Sequence, residues 1–297
     1  MKSIIFILLF MFSAPIWADV NIFACEPEWA ALSKELGAEK VTVFNATTGL
    51  QDPHYVQARP SLIAKARQAD LLVCTGAELE TGWLPLLQRK AGNAAIQTGA
   101  EGYFMAADQV TLAEKPAVLD RSQGHIHAAG NPHIQTSPVL ILQVAEALSR
   151  RLMQIDEANA AFYQSRWQDF EQRWLTAIQN WQQQAAPLKD APIVVQHKNW
   201  IYLTDWLGLK QVAVLEAKPG VPPTVNDLQN VVNQLEQTPA KMVILAAYQS
   251  SRASDWLVDK TGINKVVLPF TVGGNKQSKD LFSLFDNTIQ LLLDGAS

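Results

Sequence analysis

Five histidines carry most of the metal chemistry open to this chain. Three crowd one stretch, Gly124-His125-Ile126-His127-Ala128-Ala129-Gly130-Asn131-Pro132-His133, where glycine, proline and small residues predict a loop. His54 stands in Gln51-Asp52-Pro53-His54-Tyr55 and His197 in Val195-Gln196-His197-Lys198-Asn199-Trp200, each where a strand gives way to a turn. Imidazole nitrogen suits Zn2+, which takes three or four donors at about 2.0–2.1 Å. His54, His133 and His197 are therefore candidate metal ligands supplied by three separate loops. Their wide spacing matches no local signature such as HExxH. By spacing alone, surface or capping histidines are the simpler reading. What favours a site is the setting, with proline or glycine beside the candidates and small polar residues around them.

The elements that would hold these loops alternate between short apolar runs and helix-like segments, the pattern of βαβ units on a parallel sheet. Strands are expected at 20–25, 40–45 and 71–74, and helices at 29–36, 60–68 and 78–89, the last with Glu78 and Glu80 near its start. Residues 97–137 show little periodicity. From Pro138 apolar residues recur at helical spacing through Val139, Leu142, Val144, Leu148 and Leu152. A second helical run, 158–184, carries Phe162, Trp167, Phe170, Trp174, Ile178 and Trp181 without a glycine or proline. At 1.5 Å per residue it would span about 40 Å, the length of a rigid connector between two lobes. The aromatic stripe reads as packing.

After Pro192 the alternation resumes on the plan of the first part. Trp29-x-x-Leu32-x-x-x-Leu36-Gly37-x-x-x-Val41-x-Val43 aligns without a gap on Trp200-x-x-Leu203-x-x-x-Leu207-Gly208-x-x-x-Val212-x-Val214. Glu26 and His197 each precede the aligned tryptophan by the same interval, at the carboxyl end of a lobe's first strand. Ligands of open α/β sheets bind at that edge. The expected architecture is α/β: two similar lobes with central parallel sheets, 19–157 and 188–297, joined by a linking helix at 158–187.

A chain of 297 residues with formal net charge −4 can bury substantial cores and shows no Lys/Arg stripe, so nucleic acid is not an expected partner. Lys2, the apolar run from Ile4 to Phe12 and the small residues up to Ala18 have the form of a secretory signal peptide, 1–18, cleaved near Ala18. The apolar run is short of the roughly 20 residues of a membrane-spanning helix. Cys25 and Cys74 each end an apolar run, and in an oxidising compartment an even count favours a disulfide. Two buried thiols are the plainer alternative and a thiolate metal pair the remoter one.

Taken together, these stretches resemble the metal-binding solute-binding proteins of bacterial ABC transporters for zinc and manganese (cluster A-I), the zinc-uptake type in particular. The similarity rests on Asp52-Pro53-His54-Tyr55 with Arg59-Pro60-Ser61, on Asn131-Pro132-His133 with Ser137-Pro138, and on Val194-Val195-Gln196-His197 with Tyr202-Leu203. Gly76-Ala77-Glu78-Leu79-Glu80-Thr81-Gly82-Trp83 adds a fourth element, and all stand in family order from about residue 19 to the end. The resemblance implies a metal in the interlobe cleft, held by His54 and His133 from the first lobe and His197 from the second, and delivery to a membrane permease. It implies an exported, periplasmic protein, which we read as a monomer. Three histidines without a carboxylate fit zinc better than manganese.

Two departures matter. Many relatives supply an aspartate from a late loop, but here the corresponding Leu268-Pro269-Phe270-Thr271-Val272-Gly273-Gly274 holds no acid. The fourth position then falls to water or to a carboxylate, Glu26 by the internal repeat or Glu216. The His/Asp-rich loop of zinc-type relatives is reduced to His125-Ile126-His127, enough for a weak accessory metal site. A secreted zinc hydrolase using three histidines is the alternative from another class, yet neither HExxH nor GxSxG is present. Capture of Mn2+ or another divalent ion, or of an organic solute in an aromatic-lined cleft, completes the alternatives.

Overall fold

The computed structural model describes residues 19–116 and 127–297. The signal-peptide expectation for 1–18 and the accessory role of His125 fall outside the described residues.

Strand β1 (Val20–Ala24), helix α1 (Pro27–Gly37), β2 (Val41–Asn45), α2 (Pro60–Arg67), β3 (Leu71–Cys74), α3 (Leu84–Ala91) and β4 (Tyr103–Met105) build the first lobe. Its sheet is parallel throughout, in the order β2-β1-β3-β4. Helix α4 (Pro138–Ile155) packs onto it, and α5 (Ala160–Gln184) leads away. The second lobe repeats the plan with β5 (Pro192–Val195), α6 (Ile201–Leu207), β6 (Lys210–Val214), α7 (Val225–Gln237), β7 (Met242–Ala246), α8 (Arg252–Thr261), β8 (Asn264–Leu268) and α9 (Leu281–Ala296). Its order is β6-β5-β7-β8, again parallel, so the sequence repeat corresponds to a repeated topology. Helices cover both faces of each sheet. The central strands are accordingly apolar runs; every residue of β3 and β7 is buried.

Local chemistry sets the element ends. Pro27, Pro60 and Pro138 open α1, α2 and α4, where a missing N–H costs nothing. Thr224 with Asp227 and Asp280 with Ser283 form capping boxes at α7 and α9. The third expected helix is shorter than its sequence implies: it begins at Leu84, and residues 78–83 form turns. Gly76, Ala77 and Glu78 all take positive φ (80°, 47° and 69°), which no helix accommodates. Glu78 and Glu80 thus belong to a turn.

Helix α5 has 25 residues and buries Tyr163, Trp167, Phe170, Trp174, Ile178 and Trp181. Tyr163, rather than Phe162, begins the stripe. On the first-lobe side the Trp174 indole donates to Pro138 O (2.8 Å), and Arg166 donates to Glu35 O at the end of α1 (2.7 Å). On the other side Trp174 meets Phe282 edge-on at 4.8 Å and Trp181 lies 5.1 Å from Phe285, both on α9. One apolar core therefore runs along the connector into both lobes.

The lobes also touch at their sheet edges. A Cβ on Gly49 would lie 2.4 Å from Gly274 N, so the two backbones approach as only glycine permits. Tyr202 Oη donates to Asn131 O (2.6 Å), and Thr271 Oγ1 donates to the Glu28 carboxylate. Cys25 directly follows β1 and Cys74 ends the neighbouring β3; they form a disulfide with Cα atoms 4.8 Å apart. Among the described residues no helix is long and apolar enough to cross a membrane.

Candidate metal centre

The Asp-Pro-His and Asn-Pro-His stretches use one device twice. Asp52 Oδ1 accepts both the backbone N–H of His54 (3.0 Å) and its ring Nδ1 (2.8 Å). Asn131 Oδ1 does the same for His133, at 3.1 and 2.7 Å. An Asx side chain two residues before a histidine, with proline between, folds back on the following backbone and fixes the ring in the same step. The Trp83 indole pins the first turn through Pro53 O (2.9 Å), and Glu114 Oε2 holds the Asn131 amide (2.8 Å).

His197 follows β5 at the carboxyl edge of the second sheet, where Glu216, just after β6, accepts from its Nδ1 at 2.7 Å. His127 directs Nδ1 at Ala77 O, 3.0 Å away. The rings of His54, His127 and His133 lie side by side, and that of His197 packs against His133. Centroid separations are 5.4 Å for His54–His127, 6.1 Å for His54–His133, 6.2 Å for His127–His133 and 6.1 Å for His133–His197. Two imidazoles on one tetrahedral zinc would have centroids about 5.2 Å apart, given nitrogen at 2.0–2.1 Å. The group is thus about an ångström wider than that in most pairs, and close to it in one.

Every Nδ1 here faces an oxygen that can only accept: two carboxylates, a side-chain amide oxygen and a backbone carbonyl. A ring that gives its Nδ1 proton to such an acceptor can offer Nε2 to a metal, the arrangement in which an outer partner orients a metal-binding histidine. His133 is 2% exposed, and its Nε2 is buried without a hydrogen-bond partner. Burial holds its pKa well below the ordinary value, with the charges of His197, His54 and His127 adding to the effect. It enters the centre neutral, as ligation requires. Burial works against the Asp52 carboxylate, yet its bond to His54 and the charges of His54 and His197 hold it below the ordinary range. The partners can be probed singly: Glu216→Ala is expected to weaken metal binding 10–100-fold, read by competition with a chelator. Unchanged affinity would remove Glu216 from this role.

Cavities flank the cluster. One of about 260 Å³ is bounded by Glu114, His127, Asn131, His133 and His197. The other, about 610 Å³, reaches Asp52, His54, His197, Glu216, Tyr248 and Trp256. Carboxylates on both approaches favour cations.

Glu26 lies elsewhere. Its Oε2 accepts from Thr75 N (3.2 Å) and Thr75 Oγ1 (3.1 Å), in a buried acid group with Glu80 and Glu28, and the charges that act on His133 are those of histidines. The repeat located the strand end correctly, but its side chain turns to the first sheet's own loop. Glu216 serves as the partner of His197. The late loop presents Phe270, whose ring lies 5.5 Å from His133, packed against Trp200 and Tyr248. His127, expected at an accessory site, sits within the cluster. The orienting roles of Asp52 and Asn131 were missed from sequence, although the Asx-Pro-His spacing signals them.

The acid group makes stability depend on pH. Burial raises Glu26 well above the carboxylate range, reinforced by Glu80 and Glu28. Burial also lifts Glu28 to about 7, against the Thr271 hydrogen bond, and Glu80 to about 7, against hydrogen bonds from Glu26 and from the Thr75 and Gly76 backbone. A carboxyl whose folded pKa is raised contributes stability below its unfolded pKa, and that contribution disappears as pH rises through the folded value. His133 has the opposite sign, but its effect is confined to pH below about 6.5, where the unfolded imidazole protonates. Between pH 6.5 and 8 the metal-free protein should lose about 1–2 kcal/mol, and Glu80→Gln should flatten the slope. Urea titrations across that window check this; stability rising with pH would refute it.

The profile of the family described as "Zinc-uptake complex component A periplasmic" (ZnuA) matches residues 22–295. The high-affinity zinc uptake system protein ZnuA of Bacillus subtilis is 22% identical over 250 residues, covering 84% of this chain and 77% of that protein. The manganese ABC transporter substrate-binding lipoprotein PsaA of Streptococcus anginosus is 20% identical over 273 residues, covering 90% of this chain and 86% of the relative. Among solved structures, a zinc-bound ZnuA lacking residues 138–173 of its own numbering aligns with TM-score 0.77 at 21% identity, over 94% of this chain and 98% of that one. That likeness supports the fold. Family members are binding proteins of transport systems, so the hydrolase alternative falls. The repeated parallel lobes, the connector helix, the grouped histidines and the match over residues 22–295 place this chain in the zinc-uptake complex component A family, the metal-binding solute-binding proteins of ABC-type metal transport.

Proposed function

We propose that this protein captures Zn2+ in the periplasm, as a monomer whose signal peptide is cleaved near Ala18, and presents the ion to the permease of an ABC importer. His54 and His133 hold the ion from the lobe at 19–157 and His197 from the lobe at 188–297, with 158–187 as the link between them. The observation that carries this reading is the common pairing of the rings: each Nδ1 is occupied by an oxygen acceptor, which leaves Nε2 as the ring nitrogen to offer a metal. The orphaned Nε2 of buried His133 fits a centre whose missing partner is a cation. Leaving a buried polar atom unsatisfied costs about 1–3 kcal/mol, which a bound metal offsets. Nitrogen donors favour zinc over manganese, and that preference supports the cargo chosen here, since relatives named for either metal are similar to this chain.

Metal-stripped mature protein, dialysed against Zn2+ and Mn2+ separately and then together at neutral pH, tests the proposal. One tightly held zinc per chain that excess manganese fails to displace is the expected result. Absence of stoichiometric metal binding would overturn the reading, and tighter retention of manganese would overturn the choice of cargo.

A further inference from the structure

We propose that Tyr202 and Asn131 form a latch between the lobes that sets how fast the captured ion leaves, with Tyr202 as a positioning residue outside the donor set. The inference rests on the reading that His133 and His197 hold that ion from opposite lobes.

The side chain of Asn131 has all four of its hydrogen bonds filled. Its Oδ1 accepts from the backbone N–H and the ring Nδ1 of His133, at 3.1 and 2.7 Å. Its Nδ2 donates to Glu114 Oε2 (2.8 Å) and to Lys198 O (3.0 Å). An amide has one oxygen that accepts and one nitrogen that donates twice, so these four partners fix its orientation. Lys198 directly follows His197 and belongs to the second lobe. One buried side chain therefore orients a histidine of the first lobe and holds the backbone beside a histidine of the second.

The contrast with Asp52 shows what the amide adds. Asp52 orients His54 by the same two contacts, so a carboxylate suffices for that task. Only an amide can also donate, and Asn131 uses both donors, one of them across the lobes.

Tyr202, on α6 of the second lobe, closes the contact from the other side. Its Oη donates to Asn131 O (2.6 Å) and accepts from Ala113 N (3.0 Å). Asn131 N in turn donates to Ala113 O (2.8 Å), so the hydroxyl bridges the remaining donor and acceptor of that backbone pair. The segments approach closely: a Cβ on Gly130 would lie 2.8 Å from Ala113 O. Tyr202 and Asn131 are each 7% exposed, which keeps water from replacing these bonds while the lobes are closed.

Separating the lobes breaks both Tyr202 bonds and the bond from Asn131 to Lys198. The bonds of Asn131 to Glu114 and His133 join residues of the first lobe alone and survive. Lys198 takes His197 with it, so the ion loses its second-lobe donor while His133 stays oriented. Contacts that must break on the way out act mainly on the dissociation rate.

The test follows zinc transfer by stopped flow from full-length mature protein, loaded with one equivalent of Zn2+, to an excess of a chromophoric chelator. Tyr202→Phe should release zinc about 10–100-fold faster, the span expected when buried groups lose their partner, with association and the single zinc per chain unchanged. Asn131→Asp combined with Glu114→Gln should also release zinc faster. There the carboxylate at position 131 still orients His133 and receives a donor from position 114, but nothing donates to Lys198 O. X-ray scattering of metal-free protein should give a larger radius of gyration for Tyr202→Phe than for the wild type, which a tyrosine serving only the core of one lobe would not. Release at the wild-type rate from Tyr202→Phe would overturn the latch, as would a loss of affinity that lay wholly in slower association. If Tyr202→Phe fails to fold, the double variant decides by the same rates. Either adverse result leaves the three-histidine reading intact; that reading fails instead if His54→Ala and His197→Ala keep wild-type affinity.

Discussion

Replacing His133 with alanine is expected to abolish stoichiometric metal binding, with affinity falling well beyond the 10–100-fold that loss of an outer partner costs. His133 is the most buried ring of the cluster, and its neighbours at 6.1–6.2 Å come from both lobes and from the His127 segment. Its removal deletes the donor common to these pairs. A ligand that binds only the folded state stabilises it by about 2.7 kcal/mol at 100 times its Kd. Wild-type protein should therefore melt several degrees higher with excess zinc, while His133→Ala should show almost no shift. The metal-free variant need not be much less stable, because the substitution also removes an unsatisfied buried nitrogen. A zinc-induced shift equal to that of the wild type would exclude His133 from the centre.

The second large effect is expected at the disulfide. Cys25 and Cys74 are 49 residues apart in sequence, and closing a loop of that length restricts the unfolded chain by about 4 kcal/mol. The Cys25→Ala/Cys74→Ala double variant should therefore melt roughly 8–12 °C below the oxidised wild type in the absence of metal. Zinc stoichiometry should persist in the folded protein, since the bridge ties β1 to β3 and the histidines take their orienting contacts from other residues. A change below about 1 kcal/mol would show that the pairing of β1 with β3 already supplies the restriction. Loss of zinc binding by a folded double variant would mean that the bridge also positions the Gly76–Glu80 turn.

Much of the fold is readable from local pattern. Proline at helix starts, continuous apolar strands and an uninterrupted aromatic stripe each act over a few residues, and the paired lobes follow from the Trp29 and Trp200 repeats. The sequence suggested the cysteine pair because each ends an apolar run; that β1 and β3 are neighbours in the sheet, which sets their ends side by side, was decided by the tertiary structure. Where local reading failed, a non-local demand prevailed. Residues 78–83 have helix-forming composition, yet the turn they adopt is braced by Glu80 and holds a segment some fifty positions away.

The candidate centre divides in the same way. Asp-Pro-His and Asn-Pro-His each contain both the histidine and the acceptor that orients it; the setting and the family resemblance marked His54 and His133 as candidates, while the acceptor role went unread until the structure showed it. His197 needed only the knowledge that it ends a lobe's first strand. Tertiary structure decided the rest: that Glu216 serves His197, that Glu26 turns into a buried acid group, and that the His127 ring packs beside His54 and His133. The sequence determined which side chains could bind a metal, because that depends on residue type and on hydrogen bonds closed within a turn. Which of them meet depended on how two lobes and a strained turn pack, since separations across loops are set by contacts that no local spacing encodes.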